Sequence, residues 1–145
     1  MCFGWMMKYA EVILPLPLRD SYTYCVPTDL ESIVSIGSRV IVHFGKRRYY
    51  TAIVIDIHDR IPSKDYEVKD IYALLDASPI LRRPQLQFWK WIASYYLCTL
   101  GDVYKAALPT GLKLESETVV SYNEDFVVAS PLKPNEQSVL ETFSG

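Results

Sequence analysis

Arg39-Val40-Ile41-Val42-His43-Phe44-Gly45-Lys46-Arg47-Arg48-Tyr49-Tyr50-Thr51-Ala52-Ile53-Val54-Ile55 decides how the rest of the chain is read. Two β-branched runs, residues 40–42 and 51–55, flank a turn built on Gly45, which predicts a β-hairpin. Lys46, Arg47 and Arg48 stand in a row at the tip, followed by Tyr49 and Tyr50. Cations beside aromatic rings on a glycine turn suit a phosphate backbone and a stacked base. The same residues also suit an ordinary solvated hairpin tip, since short charge runs commonly just face water.

Outward from the hairpin, more strands are expected. Residues 9–14 are apolar and predict a first strand. Pro15 and Pro17 follow; each removes a ladder donor, so this segment is extended and outside any central strand. Residues 22–26, Tyr-Thr-Tyr-Cys-Val, are β-prone and end at Pro27. Residues 28–37 form a polar connection in which Ile33 and Val34 look buried. After a polar loop at 58–67, residues 68–75 predict another strand, and 76–79 a turn.

Helices come last. Pro84 fits a first helical position. Leu86, Trp89, Ile92, Ala93 and Tyr96 recur at helical spacing, so residues 84–97 predict an amphipathic helix with Gln87, Lys90, Trp91 and Ser94 opposite. Gly101 interrupts the pattern. Residues 102–108 predict a second short helix, with Asp102 near its N-terminus and Pro109 ending it. The fold class is therefore α+β: a small curved or barrel-like, mostly antiparallel sheet with two helices behind it.

Further on the character changes. Residues 118–122 and 126–129 suit two short strands, 130–134 a linker and 135–143 the start of a helix with no partner to pack on. The expected organisation is an extension at 1–7, a domain at 8–113, a linker at 114–134 and the truncated start of a second domain at 135–145.

Composition narrows function by exclusion. The net charge is −2. Residues 114–145 hold one lysine against six acids, whereas the preceding residues hold 14 Lys and Arg against 11 Asp and Glu. A mildly basic body with an acidic tail is compatible with nucleic acid, because patches matter more than totals. It also raises the idea that the tail folds over the basic face. Cys2, Cys25 and Cys98 are odd in number and widely spaced, which matches neither a disulfide framework nor a zinc site. Buried thiols at Cys25 and Cys98 and a reducing cytosolic compartment are expected. Residues 1–7 are too short for a secretory signal or a membrane span. There is no phosphate-cradling GxxxxGK[ST] loop, no GxGxxG, no GxSxG and no HExxH. A binding module is expected rather than an enzyme.

An ordered set of residues carries a family resemblance. It comprises Leu14-Pro15-Leu16-Pro17-Leu18, Tyr22-Thr23-Tyr24, Gly37-Ser38-Arg39-Val40, Phe44-Gly45-Lys46, Lys69 with Leu75-Asp76, Trp91-Ile92-Ala93-Ser94-Tyr95-Tyr96, Gly101-Asp102-Val103 and Ala107-Leu108-Pro109. Together these resemble the N-terminal part of the primosomal protein N′ (PriA) family of replication-restart helicases, over residues 8–113. Leu132-Lys133-Pro134-Asn135-Glu136-Gln137 resembles that family's entry into a winged-helix domain.

The resemblance implies a domain that captures the 3′ end of a nascent strand at stalled or abandoned forks. Tyr22, Thr23, Gly45 and Lys69 would then form the pocket for the terminal nucleotide, and Lys46, Arg47 and Arg48 would meet the DNA backbone. Thr23 departs from the family's aspartate. A neutral hydroxyl accepts a hydrogen bond from a terminal 3′-OH less strongly than a carboxylate, at a cost of about 1 kcal/mol or more. The resemblance further implies single-stranded and fork DNA, other primosome proteins and single-strand-binding protein as partners. It implies ATP and zinc only for domains further along, no cofactor here, no membrane, and a cytoplasmic, nucleoid-associated site of action. A rival reading is a protein-interaction module in which residues 14–18 and the Tyr-rich strands hold a partner peptide or the rest of the chain itself.

Overall fold

The structure is a computed structural model that describes residues 7–60, 62, 67–114 and 134. The expected strands at 118–122 and 126–129, most of the linker, the terminal helix and the acidic tail lie outside the described residues, as does nearly all of the 1–7 extension. Five strands form one sheet: β1 (Tyr9–Ile13), β2 (Tyr22–Cys25), β3 (Arg39–Phe44), β4 (Arg48–His58) and β5 (Ile71–Leu74). Two helices follow, α1 (Arg83–Tyr96) and α2 (Leu100–Ala107), then a single 3-10 turn at Thr110–Leu112.

The hairpin is the centre of the sheet. Strand order is β2-β1-β4-β3-β5, and every ladder is antiparallel. β4 pairs with β3 from Arg39↔Ile53 to Phe44↔Arg48 and, on its other side, with β1. The two edge strands approach each other as the sheet curls: the Cys25 N–H donates to the Lys69 carbonyl at 2.9 Å, beside a bridge between Cys25 and Asp70. This near-closure brings the ends of β2, β3 and the run into β5 to one rim.

Strand alternation sorts side chains onto two faces. Ala10, Val12, Tyr24, Val40, Val42, Tyr50, Ala52, Val54 and Ile71 fill the concave interior. Ile13 and Ile53 on the outer face pack against Leu86 and Trp89 of α1 and Val103 and Tyr104 of α2. Tyr104 is fully buried, and its hydroxyl donates to the Thr51 carbonyl at 2.7 Å. A bulge opposite Glu11 and Val12 shifts the β1–β4 register, so Glu11 faces Asp56 while Val12 faces Val54. Among the described residues, no helix is long and apolar enough to cross a membrane.

Several expectations change. The strand expected at 68–75 shrinks to Ile71–Leu74, because Lys69 and Asp70 contact Cys25 across the rim instead. Ile33 is 52% exposed, and only Val34 of that pair is buried. Tyr96 leaves the buried face of α1 and is 69% exposed, because the helix ends there, with Leu97 in the left-handed region at φ 52°. Gly101 does not break the chain; it lies inside α2, where a Cβ would stand 1.8 Å from the Leu16 carbonyl oxygen. Only glycine lets the helix start press against the proline segment, and Thr99 and Asp102 cap it reciprocally.

The cysteine expectation fails twice, since Cys98 is free but exposed and Cys25 is disulfide-bonded. Cysteine usage therefore does not argue for a reducing compartment. Part of the surface that the interaction-module reading needs is consumed, since Leu14 is buried and Leu16 and Leu18 pack on the core, while Tyr49 and Tyr72 of the Tyr-rich strands stay exposed.

Candidate nucleic-acid interface

At the rim, a cleft of about 190 Å³ is lined by Tyr22, Thr23 and Tyr24 of β2, His43, Phe44 and Gly45 at the hairpin end, and Glu67 and Lys69 ahead of β5. The volume is below the roughly 300–1,000 Å³ of sites for extended organic ligands, so it suits one nucleoside. The four residues expected from sequence to form a pocket thus come from three separate segments and meet around one cleft.

Their geometry is not uniform. Tyr22 and Tyr24 share a face, as residues two apart on a strand must. Tyr24 goes into the core, with its hydroxyl donating to the His43 carbonyl at 3.0 Å. Tyr22 stays half-buried at the mouth, its ring edge-on to Phe44 with centroids 4.9 Å apart. Gly45 opens the three-residue loop that reverses the chain into Arg48. Its φ of +71° favours glycine, and nothing lies within 4 Å of where a Cβ would be. A ligand can therefore approach that backbone directly.

Lys69 is held from two sides. Its ammonium lies 3.0 Å from His43 Nδ1 and donates to the Gly45 carbonyl at 3.3 Å. An ammonium only donates, so Nδ1 is the acceptor in this contact. Sequence reasoning missed Tyr24, His43, Phe44 and Glu67 as lining residues. His43 and Phe44 were legible as neighbours of Gly45; Glu67, in a polar loop, carried no signal.

Thr23 lines the cleft between Tyr22 and Tyr24 on β2. Its side chain is 2% exposed and lies on the other face of the sheet, donating to Glu11 Oε1 at 2.6 Å. The Ser21 hydroxyl bonds the second oxygen of Glu11, and His58 Nε2 stands 3.6 Å from the same carboxylate. The idea that the Thr23 hydroxyl itself receives a terminal 3′-OH therefore meets a geometric obstacle: the hydroxyl points to the face of the sheet that carries Glu11.

Lys46, Arg47 and Arg48 are all exposed on the hairpin tip that continues from Gly45. A larger cleft of about 500 Å³ lies on the outer face, between Glu11, Ser21 and Asp56 on one side and Arg83, Gln87 and Lys90 on the other. It mixes both signs of charge and has no aromatic ring for a base. The smaller cleft combines ring, open glycine and lysine, and so carries the chemistry better.

A curled antiparallel sheet, with a nucleoside-sized cleft at its rim and cations beside it, defines a small α+β nucleic-acid-binding domain. The family model described as the PriA 3′ DNA-binding domain matches residues 11–109, and this chain belongs to that family. Its role is accordingly recognition of DNA at a 3′ end. A winged-helix domain model matches residues 117–145.

Relatives agree. The chain is 34% identical over 120 residues to the replication restart protein PriA of Haemophilus influenzae, covering 83% of this chain and 16% of that protein. It is 31% identical over 137 residues to the protein of the same name from Rickettsia prowazekii, covering 94% of this chain and 18% of that one. For Bacillus subtilis the figures are 27% over 124 residues, 82% and 15%. The chain thus spans less than a fifth of the length of these three relatives.

Proposed function

We propose that the rim cleft holds the terminal nucleotide of a single strand. Tyr22 stacks on the base, the bare backbone at Gly45 admits the sugar, and Lys69 offsets the phosphodiester charge. Lys46, Arg47 and Arg48 hold the backbone leading away from the end. Thr23 lines the cleft and gives its hydroxyl to the fold. The observation that carries this reading is the convergence of Tyr22, Gly45 and Lys69 on one nucleoside-sized cleft.

The wider role follows the relatives. Residues 8–113 act as the 3′-end-binding domain of a longer replication-restart helicase, followed over residues 117–145 by its winged-helix segment. The motor with its ATP, and the zinc-binding cysteines, belong to that longer protein. Fork DNA, the other primosome proteins and single-strand-binding protein are its partners, on nucleoid DNA in the cytoplasm.

Fluorescence anisotropy tests the cleft. A single strand with a free 3′ end should bind more tightly than a circular strand of the same length and composition. Tyr22→Ala should weaken the free-ended strand by roughly 5- to 150-fold, the value of one base–aromatic stack of about 1–3 kcal/mol. The circle, bound through the hairpin cations, should change little. Equal binding of circle and free-ended strand by the unaltered protein would sink the reading.

A further inference from the structure

A second group of rings flanks the cleft. Tyr49 of β4 and Tyr72 of β5 are 38% and 68% exposed. β3 runs between their strands, which sets the two backbones about 10 Å apart. The ring centroids are nevertheless 5.1 Å apart, so the two side chains lean together over β3. The pairing shows how Tyr72 comes to do this. Ala73 pairs with Ile41 and Ile71 with Val42, which leaves Tyr72 as the extra residue at a register shift. An extra residue of this kind re-aims its side chain and commonly stands beside a functional site.

These rings are continuous with the cleft. His43 lines the cleft, and its ring meets that of Tyr49 edge-on, with centroids 5.1 Å apart. The Lys69 ammonium touches both His43 Nδ1 and the Gly45 carbonyl, so a cation stands at the junction of cleft and rings. Tyr49 also directly follows the run Lys46, Arg47 and Arg48.

We infer that Tyr72, backed by Tyr49, is a stacking platform for the bases that precede the terminal nucleotide of a bound single strand. The inference rests on the terminal-nucleotide reading of the cleft and extends it outward along the strand. Every base has a π-face, so exposed rings hold a strand without reading its sequence. The linkage between the terminal nucleotide and the one before it carries a negative charge, and Lys69 meets that charge at the junction. The strand crosses the rim at Gly45, where there is no Cβ in its way, and lays its next bases on the rings. A peptide could cover the same rings, but it has no repeating anion to match Lys69 and the hairpin cations.

The experiment uses the 145-residue chain and internally labelled strands read by fluorescence anisotropy. One strand is intact, one is a circle of the same length and composition, and a series carries a single abasic site at the terminal base or at one of the three bases before it. With the unaltered protein, an abasic site in at least one of those inner positions should weaken binding by roughly 5- to 150-fold, the value of one lost stack. Tyr72→Ala should weaken the intact strand by a similar factor and shrink the inner abasic effect to within about two-fold, while the effect at the terminal base persists. Tyr72→Phe keeps the ring and should bind the intact strand within about three-fold of the unaltered chain. Thermal melting of both variants should match the unaltered chain, because Tyr72 is exposed.

If no inner abasic site weakens binding, or if the inner effect survives undiminished in Tyr72→Ala, while the free-ended strand still outbinds the circle, the platform is overturned and the cleft reading stands. Rings that serve a protein partner instead of DNA give that result. If the circle binds as tightly as the free-ended strand, the cleft reading itself fails and this inference fails with it.

Discussion

Thr23 is the residue at which fold and recognition part company. Its hydroxyl donates to a carboxylate that also receives Ser21, in a site where Thr23 is 2% exposed. Thr23→Val keeps the volume but leaves Glu11 short of one donor, so stability should fall by about 1–3 kcal/mol. Urea denaturation measures this. The preference for a free 3′ end should not change, since the lost atom faces the other side of the sheet. A variant of normal stability with lost end preference would put the hydroxyl in the cleft and contradict the geometry. Sequence reading grouped Tyr22 and Thr23 as neighbouring pocket side chains. A strand turns adjacent side chains to opposite faces, so they cannot share a cleft by that route. That constraint was legible once residues 22–26 were read as a strand. The donor pair with Glu11, twelve residues earlier, was not, because it depends on which strand becomes the neighbour.

At the scale of elements, the β3–β4 hairpin was the most legible part of the chain. Its two β-branched runs and Gly45 determine strand, turn and strand locally, and both flanking ladders confirm the pattern. The body of α1 was equally legible from the spacing of Leu86 and Trp89, which are buried. Its end was not. Phe88, Trp91 and Tyr95 stack on one another along the exposed side of the helix, which periodicity alone does not foretell. The start of α2 depended on a tertiary contact, the Leu16 carbonyl against Gly101. The hairpin tip also carries a prediction of its own. Each cation that meets a phosphate releases counterions, with a slope of about −0.7 in log K against log salt per contact on single strands. Replacing Lys46, Arg47 and Arg48 together with alanine should therefore flatten the slope by up to about 2. Anisotropy titrations over a salt series give that slope directly. The 3′-OH preference should persist in the variant, because it belongs to the cleft. An unchanged slope would mean that the tip faces water rather than DNA.

Across the whole molecule, Arg39 joins segments that are far apart in sequence. Its guanidinium donates to Asp76 through Nε at 2.8 Å and Nη2 at 2.5 Å, and through Nη1 to the Leu112 carbonyl at 3.0 Å. The start of β3, the turn after β5 and the chain leaving α2 are thus held by one side chain. The same leaving segment is pinned again where the Thr51 hydroxyl donates to the Leu114 carbonyl at 2.8 Å. Both partners of the ion pair have side chains only 14% exposed, so screening by water is limited. The hydrogen bond from Arg39 holds the Asp76 carboxyl below its ordinary value of 3.8, against the opposing effect of burial. A carboxylate whose folded value is depressed contributes stability that is fully present above the unfolded value and is lost as pH falls through the folded one. The Arg39 value is raised from an already high one, so arginine stays charged throughout and adds no slope in the acid range. Asp76→Asn should consequently lose about 1–3 kcal/mol at neutral pH, where a charged hydrogen-bonded pair is replaced by a neutral acceptor and an unmatched guanidinium. As pH falls through the lowered Asp76 value the two proteins should converge in stability, because protonation then does to Asp76 what the substitution does. Urea midpoints at neutral and acid pH measure both quantities. If Asp76→Asn keeps the acid-limb slope of the unaltered chain, the pH dependence arises elsewhere, and the Arg39 junction is a geometric tie without electrostatic weight.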